Sequence, residues 1–272
     1  MGRAAIIVPA RFGSTRFPGK PLALLKGPDG VSRPALCYTW SAALTAAAAL
    51  GSGTRCKVAT DDNRIAEFAR AHGMDVIMTP ESCRNGTERC ASALEALGED
   101  VDLVVNLQGD APLTPAAIVR EVVQRLDQEQ GLSMATAAVP LSPELLALFQ
   151  RDAEAGRVGG TTVVLNARHQ ALYFSKSIIP HIPRSAAPTG NVLLHLGIYA
   201  YRPAALKDYI ALEPGIYEEQ EGLEQLRFLE AGMPVGVCIC EPPSWAMIEL
   251  NNPTDVPLIE RELAEQARHM NR

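Results

Sequence analysis

AIIVPARFGSTRFPGKPL, residues 5–22, opens with an apolar run, Ala5 to Val8, that reads as a buried strand and breaks at Pro9 into a loop. The loop holds Gly13, Ser14, Thr15, Pro18 and Gly19, together with three cations, Arg11, Arg16 and Lys20. Backbone N–H groups in a small, glycine-bearing turn point at phosphate oxygens, and Arg and Lys neutralise them. The stretch therefore reads as a triphosphate site at the end of a strand. It is not a Walker A loop, which needs four residues between Gly and Gly-Lys and then Ser or Thr. Here five residues separate Gly13 from Gly19, and Pro21 follows Lys20. A G-x-G-x-x-G dinucleotide fingerprint is absent as well.

Outward from this loop, residues 35–50 read as a helix closed by Gly51, and residues 54–60 as a strand followed by Asp61-Asp62. Asp62 is placed to cap the helix NRIAEFARAHG. MDVIMT is the next strand, Asn85-Gly86 a turn signal, and GTERCASALEAL a helix. The strand VDLVVNL, residues 101–107, stops at Gln108-Gly109-Asp110-Ala111-Pro112, and Pro115 opens another helix. This alternation predicts an α/β fold with a parallel sheet and helices on both faces. Ligands of such sheets bind outside the carboxyl ends of the strands, where the polar clusters Arg11–Lys20, Asp61-Asp62 and Gln108–Asp110 are expected to converge. After residue 133 the pattern becomes strand-rich: SMATAAVP, TTVVLN, QALYFSK, residues 190–202, PVGVCIC and WAMIEL, before a terminal helix. No low-complexity linker or internal repeat interrupts it, so one α/β domain with a strand-rich extension is expected.

The 272 residues suffice for one large domain or two modest ones, and 47% hydrophobic with 21% charged residues is ordinary for a globular chain. A net charge of −6 argues against a general nucleic-acid binder. Six cysteines are scattered without a CxxC pair, which reads as buried thiols in a reducing cytosol and not as a zinc site. No cleavable leader and no membrane-length apolar run is evident, so a cytoplasmic protein without membrane association is expected. Asn85-Gly86-Thr87 matches the glycosylation sequon, which carries no meaning without secretion.

Further motifs follow the opening loop in order: VATDD at 58–62, NGTER at 85–89, VVNLQGDAP at 104–112, ALYFSKSIIP at 171–180, HLGIYAYR at 195–202 and LEQLRFL at 223–229. Together they resemble the nucleotide-sugar cytidylyltransferases, most of all the 3-deoxy-manno-octulosonate (Kdo) cytidylyltransferases of lipopolysaccharide biosynthesis. That family joins CTP and Kdo into CMP-Kdo and releases pyrophosphate. The resemblance implies a glycosyltransferase-A-like nucleotidyltransferase fold with a mostly parallel central sheet. It implies a single domain over 1–272, with a nucleotide-binding half, 1–132, and an acceptor and dimerisation half, 133–272. A homodimer and Mg²⁺ are implied too.

In that reaction a sugar oxygen attacks the α-phosphorus of CTP, and positioning and positive charge stabilise the transition state. The resemblance assigns catalysis to Arg11, Lys20 and Asp110. It places Ala10, Arg11, Ser14, Thr15, Lys20, Asn85, Gly86, Thr87 and Gln108 on the nucleotide, with Arg16 as a further contact. Asp110 and Asn251 fall at the metal positions. Gln108, His195, Tyr199, Glu221, Glu224 and Gln225 fall on the acceptor. His195 and Tyr199 are four residues apart in a strand, so their side chains share a side. Glu221, Glu224 and Gln225 lie at helical spacing.

Four departures from the family pattern stand out. Ala111 replaces the glutamate of QGDEP, Asn85-Gly86-Thr87 replaces SGT, and Thr162 aligns with a lysine. LNNPTDV, residues 250–256, replaces a (V/I)DTPEDL-like segment, so Asn251 stands where the second magnesium aspartate is expected. An amide offers a carbonyl oxygen without charge, which weakens Mg²⁺ binding or changes the number of ions held. The acceptor is then Kdo, a related sugar acid, or a small phosphonate of specialised metabolism. A non-catalytic nucleotide-binding relative is the reading from another class, and the intact Arg11–Lys20 loop with Asp110 argues against it.

Overall fold

A computed structural model describes residues 3–14, 16–183 and 192–270. The chain forms two compact units, Met1–Arg120 with Pro243–Arg272, and Glu121–Pro242. The terminal segment thus packs with the first unit, although the sequence reading placed it with the second half.

The first unit begins with β1 (Ala4–Pro9), a hairpin of β2 (Leu24–Lys26) and β3 (Ser32–Pro34), and α1 (Ala35–Leu50). It continues through β4 (Arg55–Thr60), α2 (Asn63–Ala71), β5 (Val76–Met78), α3 (Gly86–Ser92), α4 (Leu94–Leu97) and β6 (Leu103–Leu107). Helix α5 (Ala116–Gln128) then leads into the second unit. The four long-range strands pair in the order β6-β1-β4-β5, all parallel. Every residue of β1 and β6 is buried, as expected of strands covered on both faces. The Asp62 carboxylate caps α2 by accepting from Arg64 N, and the Asn85 amide caps α3 by accepting from Glu88 N.

The second unit holds β7 (Met134–Pro140), α6 (Pro143–Glu154), β8 (Thr162–Leu165), β9 (Ala171–Ser175) and β10 (Leu193–Tyr201). After these come α7 (Pro203–Ala211), α8 (Ile216–Glu221), α9 (Leu226–Glu230) and β11 (Val235–Ile239). Strand β10 runs antiparallel to β7, with a bulge between Leu196 and Tyr199, and β11 runs parallel to β7. Strand β8 pairs antiparallel with both β10 and β9. The fold is therefore α/β, with a parallel sheet in the first unit and a mixed, strand-rich second unit. The expected strand over 190–202 begins in residues outside the described set.

The chain returns to the first unit through residues 243–255 and ends in α10 (Val256–Met270). WAMIEL, expected to be a strand, is irregular. Its polar groups go to loops and side chains instead of a neighbouring strand: Trp245 Nε1 donates to Leu113 O at 3.0 Å, and Ala246 N to Glu262 Oε2 at 2.7 Å. Leu250 is fully buried in a cluster with Leu25, Ala35, Leu113, Ile259 and Leu263, which ties the terminal helix to the hairpin. Burying each such leucine contributes about 1.5–3 kcal/mol.

Candidate functional site

The loop after β1 is knitted to its neighbours by the backbone. Ala10 N donates to Ala59 O at 2.9 Å, and Gly109 N to Pro9 O at 3.1 Å. A Cβ at Gly109 would sit 2.5 Å from Pro9 O, so only glycine lets the ends of β1 and β6 approach this closely. Within the loop, Phe12 O accepts from both Ser14 N and Gly19 N at 2.9 Å. Gly19 adopts φ 71°, and a Cβ there would meet the Phe12 ring at 2.8 Å. The same ring carries the Arg64 guanidinium 3.3 Å from its centroid, and Arg64 is anchored by Asp62.

This folding directs the loop's cations. Lys20 Nζ is ion-paired with Asp110 Oδ2, their side chains only 12% and 19% exposed. Arg16 donates to Asn251 Oδ1 at 3.0 Å. Arg11 reaches Arg84 O at 3.5 Å, just before the α3 cap. Ser14 Oγ accepts from Phe17 N at 3.4 Å. Thr15 lies outside the described residues.

The segment carrying Asn251 is docked by Leu250 N, which donates to Asp110 O at 2.8 Å. Asp255 Oδ2 accepts from Asn251 N and Asn252 N at 2.9 and 2.6 Å, which holds the turn rigid. Asn251 Nδ2 in turn donates to Glu249 Oε2 at 3.4 Å. The Glu249 carboxyl is pushed above its usual range, first by desolvation and then by the negative charge of Asp110, against Asn251, Lys20 and Arg16. Its residue surface is nonetheless exposed, so protein crowds the group while one side stays open to solvent.

A second cluster lies at the start of α3. Gly86 packs so closely that a Cβ would fall 2.7 Å from Gln108 Nε2 and 2.8 Å from Asn106 Nδ2. Asn106 is fully buried, and neither of its amide atoms has a hydrogen-bond partner. Thr87 is buried. Arg89, 2% exposed, donates to Thr79 Oγ1 at 2.5 Å and to Asp61 Oδ2 at 2.9 Å. Asp61, Asp62 and Arg89 of the VATDD and NGTER motifs thus brace the scaffold.

The remaining candidates belong to the second unit. His195 Nε2 lies 3.0 Å from Thr136 Oγ1. That hydroxyl has one proton and donates it to Ile198 O at 2.7 Å, so the histidine carries its hydrogen on Nε2 and donates to Thr136. Desolvation pushes the His195 pKa down to about 3, which keeps the ring neutral. The rings of His195 and Tyr199 lie 5.5 Å apart, so the two side chains share a side. Tyr199 OH donates to Gln225 Oε1 at 3.4 Å, and the buried Gln225 Nε2 has no partner. Glu221 accepts from Ser175 Oγ at 2.7 Å and Lys176 N at 2.9 Å, joining α8 to β9. Glu221, Glu224 and Gln225 do not share a helix as their spacing suggested. Gly222, at φ 60°, ends α8, Glu224 sits in the turn, and Gln225 directly precedes α9. Arg227 of the LEQLRFL motif forms a buried ion pair with Glu218 at 2.6 Å.

Thr162, aligned by sequence with a lysine, is 1% exposed. Its hydroxyl donates to Ser177 O at 2.7 Å and accepts from Ile179 N at 3.1 Å. It holds a turn.

Two groupings therefore exist in the first unit: Arg16, Lys20, Asp110 and Asn251, and Arg11 with the Asn85–Gly86–Gln108 edge. The second unit groups His195, Tyr199 and Gln225, with Glu221 committed to β9. The sequence reading missed Glu249. Its signal in the sequence is the apolar Leu250 flanked by two polar residues, Glu249 and Asn251, whose side chains meet in the structure. Among the described residues no three His, Cys, Asp or Glu side chains cluster as a metal cage. All six cysteines are free, and no helix of the described residues is long and apolar enough to cross a membrane. The first grouping offers cations for a polyanion and oxygen donors for a hard cation.

Comparison with known proteins gives concordant matches. A family described as Cytidylyltransferase matches residues 5–235. The 3-deoxy-manno-octulosonate cytidylyltransferase of Maricaulis maris is 41% identical over 262 residues, 96% of this chain and 96% of that protein. The mitochondrial 3-deoxy-manno-octulosonate cytidylyltransferase of Arabidopsis thaliana is 38% identical, over 97% of this chain and 84% of its own. Among solved structures, CMP:2-keto-3-deoxy-manno-octonic acid synthetase complexed with CTP superimposes with a TM-score of 0.81 at 32% identity, covering 97% of this chain and 100% of that one.

Proposed function

The chain belongs to the 3-deoxy-manno-octulosonate cytidylyltransferases of the cytidylyltransferase family, and from that premise we propose that it transfers CMP from CTP to Kdo and releases pyrophosphate. The observation that carries the reading is the Lys20–Asp110 pair, set where the loops after β1 and β6 meet. It stores a phosphate-binding cation against a carboxylate, within reach of Arg16 on Asn251.

In this reading Lys20, Arg11, Arg16, Ser14 and Thr15 hold the triphosphate. Lys20 exchanges the Asp110 carboxylate for phosphate oxygens as the nucleotide arrives, and its charge stabilises the departing pyrophosphate. The Ala10–Arg11 backbone, Asn85, Gly86 and Thr87 border the cytosine, with Gln108 beside them. His195, Tyr199, Gln225, Glu221 and Glu224 serve the acceptor. A neutral His195 and the unpartnered Nε2 of Gln225 are hydrogen-bonding groups suited to a hydroxylated sugar acid.

Mg²⁺ fits the donor set. Asp110 offers a carboxylate and Asn251 an amide carbonyl, oxygen ligands of the kind a hard cation takes. Asp110 would hold it, with the 249–251 segment alongside, and when bound it neutralises phosphate charge near the reacting phosphorus. We also read the protein as a cytoplasmic homodimer acting in lipopolysaccharide biosynthesis. Sedimentation velocity tests the dimer.

The reaction is tested by pyrophosphate release from CTP with Kdo, other sugar acids and small phosphonates as acceptors. Release with CTP and Kdo above all other pairs is expected. Equal rates with UTP or ATP, or release with a phosphonate and none with Kdo, would overturn the assignment.

A further inference from the structure

Asn251 leaves the proposed metal site one carboxylate short of the family pattern, and the structure offers a replacement two residues away. Residues 249–251 flank the fully buried Leu250, whose N–H is pinned to Asp110 O at 2.8 Å. The side chains before and after Leu250 meet, Asn251 Nδ2 donating to Glu249 Oε2 at 3.4 Å, on the segment that the Leu250 N–H ties to residue 110. Glu249 is exposed there and feels the charges of Asp110, Lys20 and Arg16.

Resting on the cytidylyltransferase reading, we infer that Glu249 supplies the second carboxylate of the divalent-metal site beside Asp110, and that Asn251 is a positioning residue bridging Arg16 to Glu249. The bridge has a definite polarity. Asn251 Oδ1 accepts from Arg16 at 3.0 Å while Nδ2 donates to Glu249 Oε2 at 3.4 Å. Only an amide does both. An aspartate at 251 would still accept from Arg16, but it would face Glu249 with no donor and add a third negative charge beside Asp110. Glu249 and Asn251 thus belong together. Before nucleotide binds, Lys20 is paired with Asp110 and Arg16 with Asn251, and both carboxylates can face a cation once the phosphates draw those two side chains away.

The experiment is Mn²⁺ binding followed by electron paramagnetic resonance, with saturating CTP and no acceptor, alongside CTP titration calorimetry in EDTA. Removing a carboxylate ligand, Glu249→Gln, is expected to weaken Mn²⁺ binding about tenfold or more and to leave metal-free CTP binding unchanged or tighter. Glu249→Asp restores part of the affinity. Asn251→Ala, which keeps the Glu249 carboxylate but removes the side chain that orients it, weakens Mn²⁺ binding by less than Glu249→Gln does. Glu249 is exposed, and an unchanged melting temperature checks that each variant folds. Wild-type Mn²⁺ affinity in Glu249→Gln overturns the inference, as does loss of affinity in Asn251→Ala alone or absence of Mn²⁺ binding in the wild type. If the wild type makes no pyrophosphate with any acceptor, the reaction assignment falls, and the Mn²⁺ titration still decides the place of Glu249.

Discussion

Asp110→Asn separates the two roles that the site gives to one carboxylate. In the nucleotide-free protein, Asp110 holds Lys20, both side chains largely buried. The substitution keeps the shape and an acceptor oxygen for Lys20 but removes the charge. Two effects of opposite sign follow. Without metal, the triphosphate no longer competes with a carboxylate for Lys20, nor meets its repulsion. A like charge about 5 Å from a phosphate, at an effective dielectric between about 20 and 80, is worth roughly 1–3 kcal/mol. Salt screening favours the lower end, so CTP affinity in EDTA is expected to rise about five- to tenfold. With Mg²⁺, the loss of an anionic ligand reverses the outcome, and turnover falls by at least about a hundredfold. The paired assay is calorimetric CTP titration in EDTA and pyrophosphate release in Mg²⁺. Weaker metal-free CTP binding would refute the cation-storage argument, and near-normal turnover would refute the metal role.

Three other substitutions test separate parts of the account. His195 has its pKa lowered to about 3 by desolvation, against about 6.5 unfolded, so the unfolded chain binds the extra proton between those values. Its contribution to stability is complete above pH 6.5 and lost as pH falls toward 3, by about 1.4 kcal/mol per pH unit. His195→Gln is expected to flatten that acid slope in denaturant titrations, and a His195 that titrates near 6.5 by NMR would refute the burial argument. Gly19→Ala, at φ 71° against the Phe12 ring, is expected to cost about 1–3 kcal/mol and to weaken CTP binding, with unchanged affinity as the contrary result. Thr162→Val strands Ser177 O and Ile179 N, so about 1–3 kcal/mol of stability is lost in thermal melts, while CTP affinity in EDTA stays at the wild-type value.

What was legible in the sequence is what local chemistry decides. The cap at Asp62 follows from a side chain bonding its own neighbourhood, and the helix stop at Gly51 and the turn at Asn85-Gly86 from glycine's backbone freedom. The parallel sheet of the first unit follows from apolar runs alternating with amphipathic helices. The misses are tertiary. WAMIEL has the composition of a strand, but Trp245 and Leu250 are claimed by the Leu113 loop and the hairpin core, so it never pairs. Thr162 looks like a lost charge in an alignment, yet its hydroxyl closes a turn reached across β9. The helical spacing of Glu221 and Gln225 is undone by Gly222 between them. Asn251 read as a deficit for the same reason: its bond to Glu249 appears only once Leu250 is seen inside the core.

Phosphorus NMR of the protein with CTP, Kdo and Mg²⁺ tests the central claim most directly. The account predicts that the three CTP resonances give way to one phosphodiester signal and one pyrophosphate signal, only when Kdo is present. Persistence of intact CTP, or its conversion to CMP and pyrophosphate without incorporation of Kdo, would contradict it.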